Sequence, residues 1–246
     1  MSFVILFAAA LWAGAQNALA GGGSFVTLPA LMLTGLDARS ANIASTLALF
    51  PAQMATGWVG RQEVSGAAGL SFRTLTLISL AGGALGAVLL LETPSGFFAQ
   101  LVPWLVLFAT ALFAYGSFFR RAKEGEGPRL GAAAAAVAQF LIAVYGGYFG
   151  GGIGFLMLAA LTAAGLGMRA AGATKNVLAG VMNAAAVAIF LFTPDIPWLR
   201  VAVLGGGAII GGYLGALALK RANERLVRAF VVLLGVCLTV GLFIRS

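Results

Sequence analysis

The chain alternates long apolar stretches with short polar ones. No charged residue occurs between residues 3 and 36, and further apolar stretches cover about residues 73–91 and 98–119. A helix needs about 20 apolar residues to cross the hydrocarbon core of a bilayer. The second and third stretches are about that long, whereas the first is too long for a single crossing. The pattern predicts an all-α polytopic membrane protein.

Two glycine clusters interrupt these stretches. Residues 21–24 read Gly-Gly-Gly-Ser, and residues 145–154 read Tyr-Gly-Gly-Tyr-Phe-Gly-Gly-Gly-Ile-Gly. Each glycine costs a helix interior about 1 kcal/mol relative to alanine, so the clusters predict breaks in the helices. Broken backbone at membrane depth must be buried in protein or line a watery cavity. We therefore expect two broken segments that share one binding site. Close helix packing through small residues is the alternative interpretation.

The second half of the chain repeats the first. The glycines at residues 21–23 recur at 150–152, and the Gly-Gly-x-Leu-Gly-Ala pattern at 82–87 recurs at 211–216, both at a spacing of 129. Arg39 recurs as Arg169 at a spacing of 130. Three landmarks at nearly one spacing indicate a duplication. The predicted organisation is a first transmembrane repeat over residues 1–119, a cytoplasmic linker over 120–130 and a second transmembrane repeat over 131–246.

The distribution of cations predicts that the two repeats are inverted. Residues 92–95 carry no cation, whereas the matching residues 220–225 carry several. Arg61 and Arg73 flank an earlier loop whose counterpart, residues 193–197, has none. Matching loops should therefore face opposite sides of the membrane by the positive-inside rule. Three transmembrane helices plus one glycine-broken hairpin in each repeat satisfy this condition, and they place both chain ends outside the cytoplasm.

Composition narrows the class of protein further. The chain is 61% hydrophobic and 9% charged, and its net charge of +8 comes from basic residues in short loops, where they set topology. Nucleic-acid binding is therefore not expected. With no histidine and one cysteine, disulfides, Cys/His metal sites and Ser-His-Asp catalysis are excluded. We expect a multi-pass protein of the cell inner membrane, without enzymatic activity, metal or cofactor. Its expected partners are the lipid bilayer, a small anion and a second copy in a homodimer.

Lys175 is the candidate residue that sequence reasoning ranks first. It lies inside an apolar stretch, six positions after Arg169, which is about 9 Å along a helix. A lysine at the bilayer centre costs about 2.5–3.5 kcal/mol on insertion scales, so such a residue usually faces the protein interior and has a function. The alternative is that its side chain extends to the cytoplasmic headgroups.

Polar residues at matching places in both repeats predict a shared site near the middle of the membrane. Ser45, Thr46 and Gln53 precede Lys175, Asn176 and Asn183 by 130 positions. Ordinary hydrogen bonding between helices is the alternative, worth about 0.6 kcal/mol on average. The predicted binding residues are Lys175, Asn176, Thr174, Asn183, Ser45, Thr46, Gln53, Gly22, Gly23, Ser24, Gly151, Gly152 and Tyr148.

The ligand of such a site should be an anion. All carboxylates lie at or near the ends of apolar segments, so no acidic proton relay is expected within the membrane. A lysine beside the free N–H groups of a broken helix attracts negative charge. Because an anion that leaves a negative-inside cell gains about 2.3 kcal/mol per charge per 100 mV, export needs no coupling ion. Concentrative uptake would need one, and exposed carbonyls of the broken segments could bind sodium.

These motifs resemble the TauE/SafE sulfite exporter family, also called the toluene-sulfonate uptake permeases. The resemblance rests on Gly-Gly-Gly-Ser-Phe-Val-Thr-Leu-Pro-Ala-Leu at residues 21–31 and Gly-Tyr-Phe-Gly-Gly-Gly-Ile-Gly-Phe-Leu at 147–156. The repeated Gly-Gly-x-Leu-Gly-Ala pattern fits as well. The resemblance implies a small permease for sulfur-containing anions such as sulfite or organosulfonates.

The chain departs from the family pattern at two places. Leu158 stands where the family often repeats the proline found at Pro29, and Thr174-Lys175-Asn176 stands where many members have Gly-Thr-Ser. The lysine therefore points to a distinct anionic substrate. Two other functions fit the same residues: a membrane assembly or chaperone subunit that transports nothing, and a passive anion channel.

Overall fold

The computed structural model of the protein describes residues 2–19, 22–115, 130–218 and 224–245, and its described secondary structure is almost entirely α-helical. The helices are α1 (Ser2–Leu19), α2 (Ser24–Leu33), α3 (Ala38–Gly60), α4 (Phe72–Glu92), α5 (Ser95–Ala114), α6 (Ala132–Tyr148), α7 (Ile153–Ala163), α8 (Met168–Phe190), α9 (Trp198–Ala218) and α10 (Glu224–Arg245). A short 3₁₀ turn, Arg61–Glu63, follows α3.

Both predicted helix breaks are confirmed. α1 ends at Leu19 and α2 begins at Ser24, while α6 ends at Tyr148 and α7 begins at Ile153. The connections contain glycines in the left-handed region, with φ of +83° at Gly22, +79° at Gly150 and +74° at Gly152. Residues with a Cβ rarely adopt this conformation, so the glycines are what allows the chain to reverse here. Gly21 lies outside the described residues.

The prediction of an all-α polytopic membrane protein is confirmed. In the described part of the chain, three helical stretches are long and apolar enough to cross a bilayer: Phe72–Glu92, Ser95–Leu112 and Met168–Phe190. The first matches the predicted span over residues 73–91 closely. The end of the predicted 98–119 span, residues 120–129 of the linker and the cations at 220 and 221 lie outside the described residues.

The two halves of the chain interlock. Helices α3 and α8 pack on each other, α1 packs on α9, and α4 packs on α6. Glycine makes this packing possible: a Cβ on Gly211 would lie 1.9 Å from the Leu11 carbonyl oxygen, and one on Gly82 would lie 2.9 Å from that of Phe140. Gly82 and Gly211 are repeat equivalents, as are Leu11 and Phe140. The halves therefore contact each other reciprocally, and their inverted orientation stays a prediction.

Apolar clusters anchor the two short helices. Phe25 and Leu31 of α2 are buried in a cluster that also contains Phe98 and Phe190. Met157 of α7 is buried in a second cluster, with Leu178 and other residues of α8. Each short helix is thus held by its apolar side chains, and its first residues lie at the α3–α8 contact.

Candidate functional site

A small cavity lies where both short helices begin. Its volume is about 40 Å³, above the roughly 10–15 Å³ that a cavity needs in order to hold one water molecule. It is bounded by the first residues of α2 and α7, the second half of α3 and the first half of α8. The described residues that line it are Asn17, Gly22, Gly23, Ser24, Gln53, Thr56, Gly150, Ile153, Gly154, Lys175, Asn176 and Ala179.

Two helix N-termini meet at this cavity. The N–H groups of Ser24 and Gly154 have no hydrogen-bond acceptor within the described residues, whereas those of Phe25 and Phe155 already bond to Gly22 and Gly152. Free N–H groups at the start of a helix extend outward along its axis, and each helix start carries roughly half an elementary positive charge. Both helices therefore present a positive end to the same small space.

Lys175 adds a full positive charge to the cavity. It lies seven positions after the start of α8, about 10 Å along the helix, and its side chain is partly buried. Among the described residues it has no ion pair, and no carboxylate lines the cavity. With the two helix ends, the site holds roughly two positive charges and no negative one. The electrostatics of such a site favour an anion over a cation.

Hydrogen bonds hold the first hairpin in place beside the cavity. The Gln16 amide donates to the Gly22 carbonyl oxygen at 3.1 Å, and the Trp12 indole N–H donates to the Gln16 side-chain oxygen at 3.1 Å. Gly23 packs tightly on α1, since a Cβ there would lie 2.9 Å from the Ala13 carbonyl oxygen. The glycines of this turn therefore agree with both interpretations of the glycine clusters, because they allow close helix packing and also break the helix.

Comparison with known proteins assigns the chain to a family. The family model for the sulfite exporter TauE/SafE matches residues 6–242. The chain belongs to the TauE/SafE sulfite exporter family. Three curated relatives carry the name "probable membrane transporter protein". One from Haemophilus influenzae is 30% identical over 96% of this chain and 92% of its own length. Others from Sinorhizobium and Escherichia coli are 29% and 26% identical, and the match covers 96% and 98% of this chain and 90% of each of theirs.

Six of the thirteen binding residues predicted for this TauE/SafE protein line the cavity. They are Lys175, Asn176, Gln53, Gly22, Gly23 and Ser24. They come from three separate parts of the sequence and share the small space with the N-terminus of α7. The lysine of the Thr174-Lys175-Asn176 segment is therefore part of the cavity wall.

The other seven predicted residues lie outside this cavity lining. Five of them use their side chains within the protein. Thr174 accepts a hydrogen bond from the Ser65 N–H at 3.1 Å, Asn183 donates to Gln53 at 2.6 Å, Ser45 shares a 2.6 Å hydrogen bond with Thr27, and Thr46 donates to the Asn42 carbonyl at 3.0 Å. The fifth is Tyr148, whose hydroxyl donates to the Thr93 hydroxyl at 3.3 Å. The remaining two, Gly151 and Gly152, form the turn before α7.

Sequence reasoning missed six residues of the lining. Thr56 lies three positions after Gln53, so helical spacing would have placed both on one face. Gly150 and Gly154 belong to the second glycine cluster, and Asn17 is a polar residue just before the first. Ile153 and Ala179 carry no such signal in the sequence, because apolar residues occur throughout both stretches.

Proposed function

We propose that this TauE/SafE family protein transports small sulfur-containing anions, such as sulfite or an organosulfonate, across the cell inner membrane. The observation that carries the proposal is the small cavity at which Lys175 and two helix N-termini meet without a carboxylate. Broken helices whose positive ends face an anionic substrate are a recurrent solution in secondary transporters. The substrate is held by the lysine ammonium group and by backbone N–H groups.

The size of the cavity favours a small substrate or the charged head of a larger one. A volume of about 40 Å³ leaves no room for an aromatic sulfonate. An oxyanion with three oxygens has acceptors for the lysine and for both helix ends at once. A small inorganic oxyanion such as sulfite is therefore a better candidate than an aromatic sulfonate. A bulkier sulfonate requires the cavity to open.

The charges at the site support export without a coupling proton. No aspartate, glutamate or histidine lines the cavity among the described residues. An anion that moves outward gains about 2.3 kcal/mol per charge per 100 mV of membrane potential. A site built only from fixed positive groups can release its ligand in that direction without binding a second ion.

Three packing features support the proposed inverted repeats. Gln53 and Asn183 are repeat equivalents and hydrogen-bond to each other at 2.6 Å, as residues beside a two-fold axis do. Arg39, at the start of α3, lines a cavity together with Thr193. Glu63 is the repeat equivalent of Thr193, and it follows the other end of α3. Equivalent loops thus lie at opposite ends of one helix, in keeping with a multi-pass protein whose halves have opposite orientations.

Replacement of Lys175 tests the proposed function. In proteoliposomes, we expect Lys175→Met to reduce the flux of radiolabelled sulfite at least tenfold, because the site loses its full charge but keeps its volume. A loss of this size corresponds to about 1.4 kcal/mol, which is modest for a charged contact. Lys175→Arg, which keeps the charge, should retain more flux than Lys175→Met. Both variants should elute as single species with unchanged thermal unfolding.

Three outcomes would contradict this mechanism. Full sulfite flux in Lys175→Met would show that the lysine takes no part in the transport mechanism. Flux that does not saturate and shows no counterflow would indicate a passive channel. A protein that carries no anion at all, but co-purifies with another membrane protein, would indicate an assembly subunit.

A further inference from the structure

A second cavity, much larger than the first, lies at the other end of α3. Its volume is about 700 Å³, and Arg39, Ser40, Thr193 and Asp195 are its polar lining residues. Glu63 and Arg169 form an ion pair beyond the opposite end of α3, whose 23 residues rise about 34 Å. The large cavity and this ion pair therefore lie on opposite sides of the protein.

The Arg39 guanidinium is held at this cavity by the end of α4. Its Nη1 atom donates to the carbonyl oxygens of Leu91 and Thr93, both at 3.1 Å. A guanidinium has five N–H donors, and the donors on Nε and Nη2 have no acceptor among the described residues. Arg39 is thus fixed by one nitrogen and has a second edge free for a ligand.

The equivalent arginines of the two halves, Arg39 and Arg169, have different partners. Arg169 is neutralised by Glu63, with nitrogen–oxygen distances of 2.6 and 2.8 Å. The residue equivalent to Glu63 beside Arg39 is Thr193, which has no charge and lines the large cavity. Asp195 also lines this cavity but forms no ion pair with Arg39 within the described residues. Arg39 therefore forms no salt bridge among the described residues, and the carboxylate that its charge influences is that of Asp37, two positions before it.

We propose that the large cavity is a second anion-binding site, where Arg39 holds the transported sulfur oxyanion before or after it occupies the Lys175 cavity. This inference rests on the proposed transport function and adds a site to it. A guanidinium edge matches two oxygens of a sulfonate or sulfite group, which a lysine cannot do. The volume of about 700 Å³ also accepts a hydrated anion or an organic tail.

Hydrogen bonds connect Arg39 to Tyr148 at the end of α6. The Thr93 carbonyl accepts from Arg39, and the Thr93 hydroxyl accepts from the Tyr148 hydroxyl at 3.3 Å. The Tyr148 carbonyl in turn accepts from the Asn42 amide at 3.1 Å. Tyr148 is the last residue of α6, two positions before Gly150 at the small cavity. An anion on Arg39 therefore lies next to the residues that position the second helix break.

Protection of an introduced cysteine tests the second site. Thr193→Cys is made in a Cys237→Ser background, which leaves one thiol in the chain. The purified protein is treated with anionic sulfonatoethyl or cationic trimethylammonium-ethyl methanethiosulfonate. We expect the anionic reagent to react faster with Thr193→Cys than the cationic reagent does. Arg39→Gln should lower the ratio of the anionic to the cationic reaction rate roughly fivefold, because one nearby charge is lost. Millimolar methanesulfonate should slow the reaction when Arg39 is present and should not slow it in Arg39→Gln.

Two further variants separate this proposal from the function on which it rests. Lys175→Met should lose sulfite flux yet keep methanesulfonate protection at Thr193→Cys, since the two sites are distinct. In Arg39→Lys, which keeps the charge, methanesulfonate should protect Thr193→Cys partially. If methanesulfonate never protects Thr193→Cys while sulfite flux is saturable and depends on Lys175, the second site is refuted and the transport proposal stands. If protection depends on Arg39 but no anion is transported, the transport proposal fails and the cavity is an anion site of another kind.

Discussion

At the scale of single residues, hydrogen-bond partners separate structural polar groups from binding groups. Thr27 and Ser45 bond to each other, as do Gln53 and Asn183, and each pair joins two helices. Lys175, by contrast, has no ion-pair partner in the described ranges of the chain. Buried polar groups normally satisfy each other. A cation without such a partner, at a cavity with two positive helix ends, is therefore the group that we propose to bind the ligand.

Asp37 should make the stability of the protein depend on pH. It caps α3 by accepting from the N–H groups of Arg39 and Ser40 at 3.1 and 3.2 Å. Partial burial raises the pKa of Asp37, but hydrogen bonds from Ser40 and Arg39 outweigh it and hold the pKa below its usual 3.8. The stabilising effect is therefore present above pH 3.8 and is lost as the pH falls through the lowered value.

The measurement is thermal unfolding of wild type and Asp37→Ala across a pH series. At neutral pH we expect Asp37→Ala to have a free energy of unfolding about 1 kcal/mol lower than that of the wild type, which is the usual cost of removing a helix cap. The difference in stability between the wild type and Asp37→Ala should become smaller at acidic pH. Asp37→Asn, which keeps a capping oxygen without the charge, serves as the control. A difference that stays constant down to pH values well below 3.8 would show that the carboxylate charge contributes nothing.

At the scale of elements, the two broken hairpins place the site. Helices α2 and α7 have 10 and 11 residues, about 15 and 16 Å, so neither crosses a bilayer alone. Each ends well short of a full span and begins at the small cavity. The left-handed glycines before them determine the direction in which each helix starts. The geometry of the proposed anion site therefore depends on these turns as much as on Lys175.

Gly152→Ala should disturb the second turn. Gly152 has φ of +74°, and a Cβ there would lie 2.9 Å from the Ala109 Cβ. A left-handed conformation costs an L-residue about 1–2 kcal/mol, and the close contact with α5 adds to it. We expect a lower unfolding temperature and reduced sulfite flux in proteoliposomes.

Gly172→Ala is the matched control for this substitution. Gly172 lies inside α8, and a Cβ there would have nothing within 4 Å. Alanine is favoured over glycine in a helix interior by about 1 kcal/mol, so this variant should be at least as stable as wild type. Equal effects of Gly152→Ala and Gly172→Ala would show that the turn does not need a glycine.

At the scale of the whole molecule, neither half is complete without the other. The first helix of each half packs on the fourth helix of the other, as α1 does on α9 and α6 on α4. The small cavity likewise takes its lining from both halves. Gln53 of the first half and Asn183 of the second half form a direct hydrogen bond at 2.6 Å. The site therefore arises at the junction, and not within a single repeat.

Labelling at equivalent loop positions tests the inversion of the repeats. Gln62 and Phe192 are repeat equivalents, and both are exposed. In a Cys237→Ser background, we expect an impermeant maleimide to label Phe192→Cys in intact spheroplasts and Gln62→Cys only in everted vesicles. The physical reason is that the cation-rich loops stay in the cytoplasm. Labelling of both positions from one side would mean that the repeats are parallel and that the proposed orientation is wrong.

Much of the fold followed from the sequence alone. The apolar stretches, the two breaks and the position of α4 were predictable because helix length, glycine cost and the absence of charge are local properties. Lys175 was predictable as a cavity residue because a charge in an apolar stretch needs a polar environment. The inverted orientation and the linker over residues 120–130 stay predictions.

Only the tertiary structure decided which polar residues face the cavity. Ser45 and Thr174 are as polar in sequence as Thr56, but their partners on neighbouring elements, Thr27 and Ser65, engage their side chains. Those partners are 18 and 109 positions away, so no local pattern reveals them. The large cavity at Arg39 likewise depends on how α3, α4 and α8 meet. A sequence determines which groups enter the membrane, whereas packing determines which of them are left for a ligand.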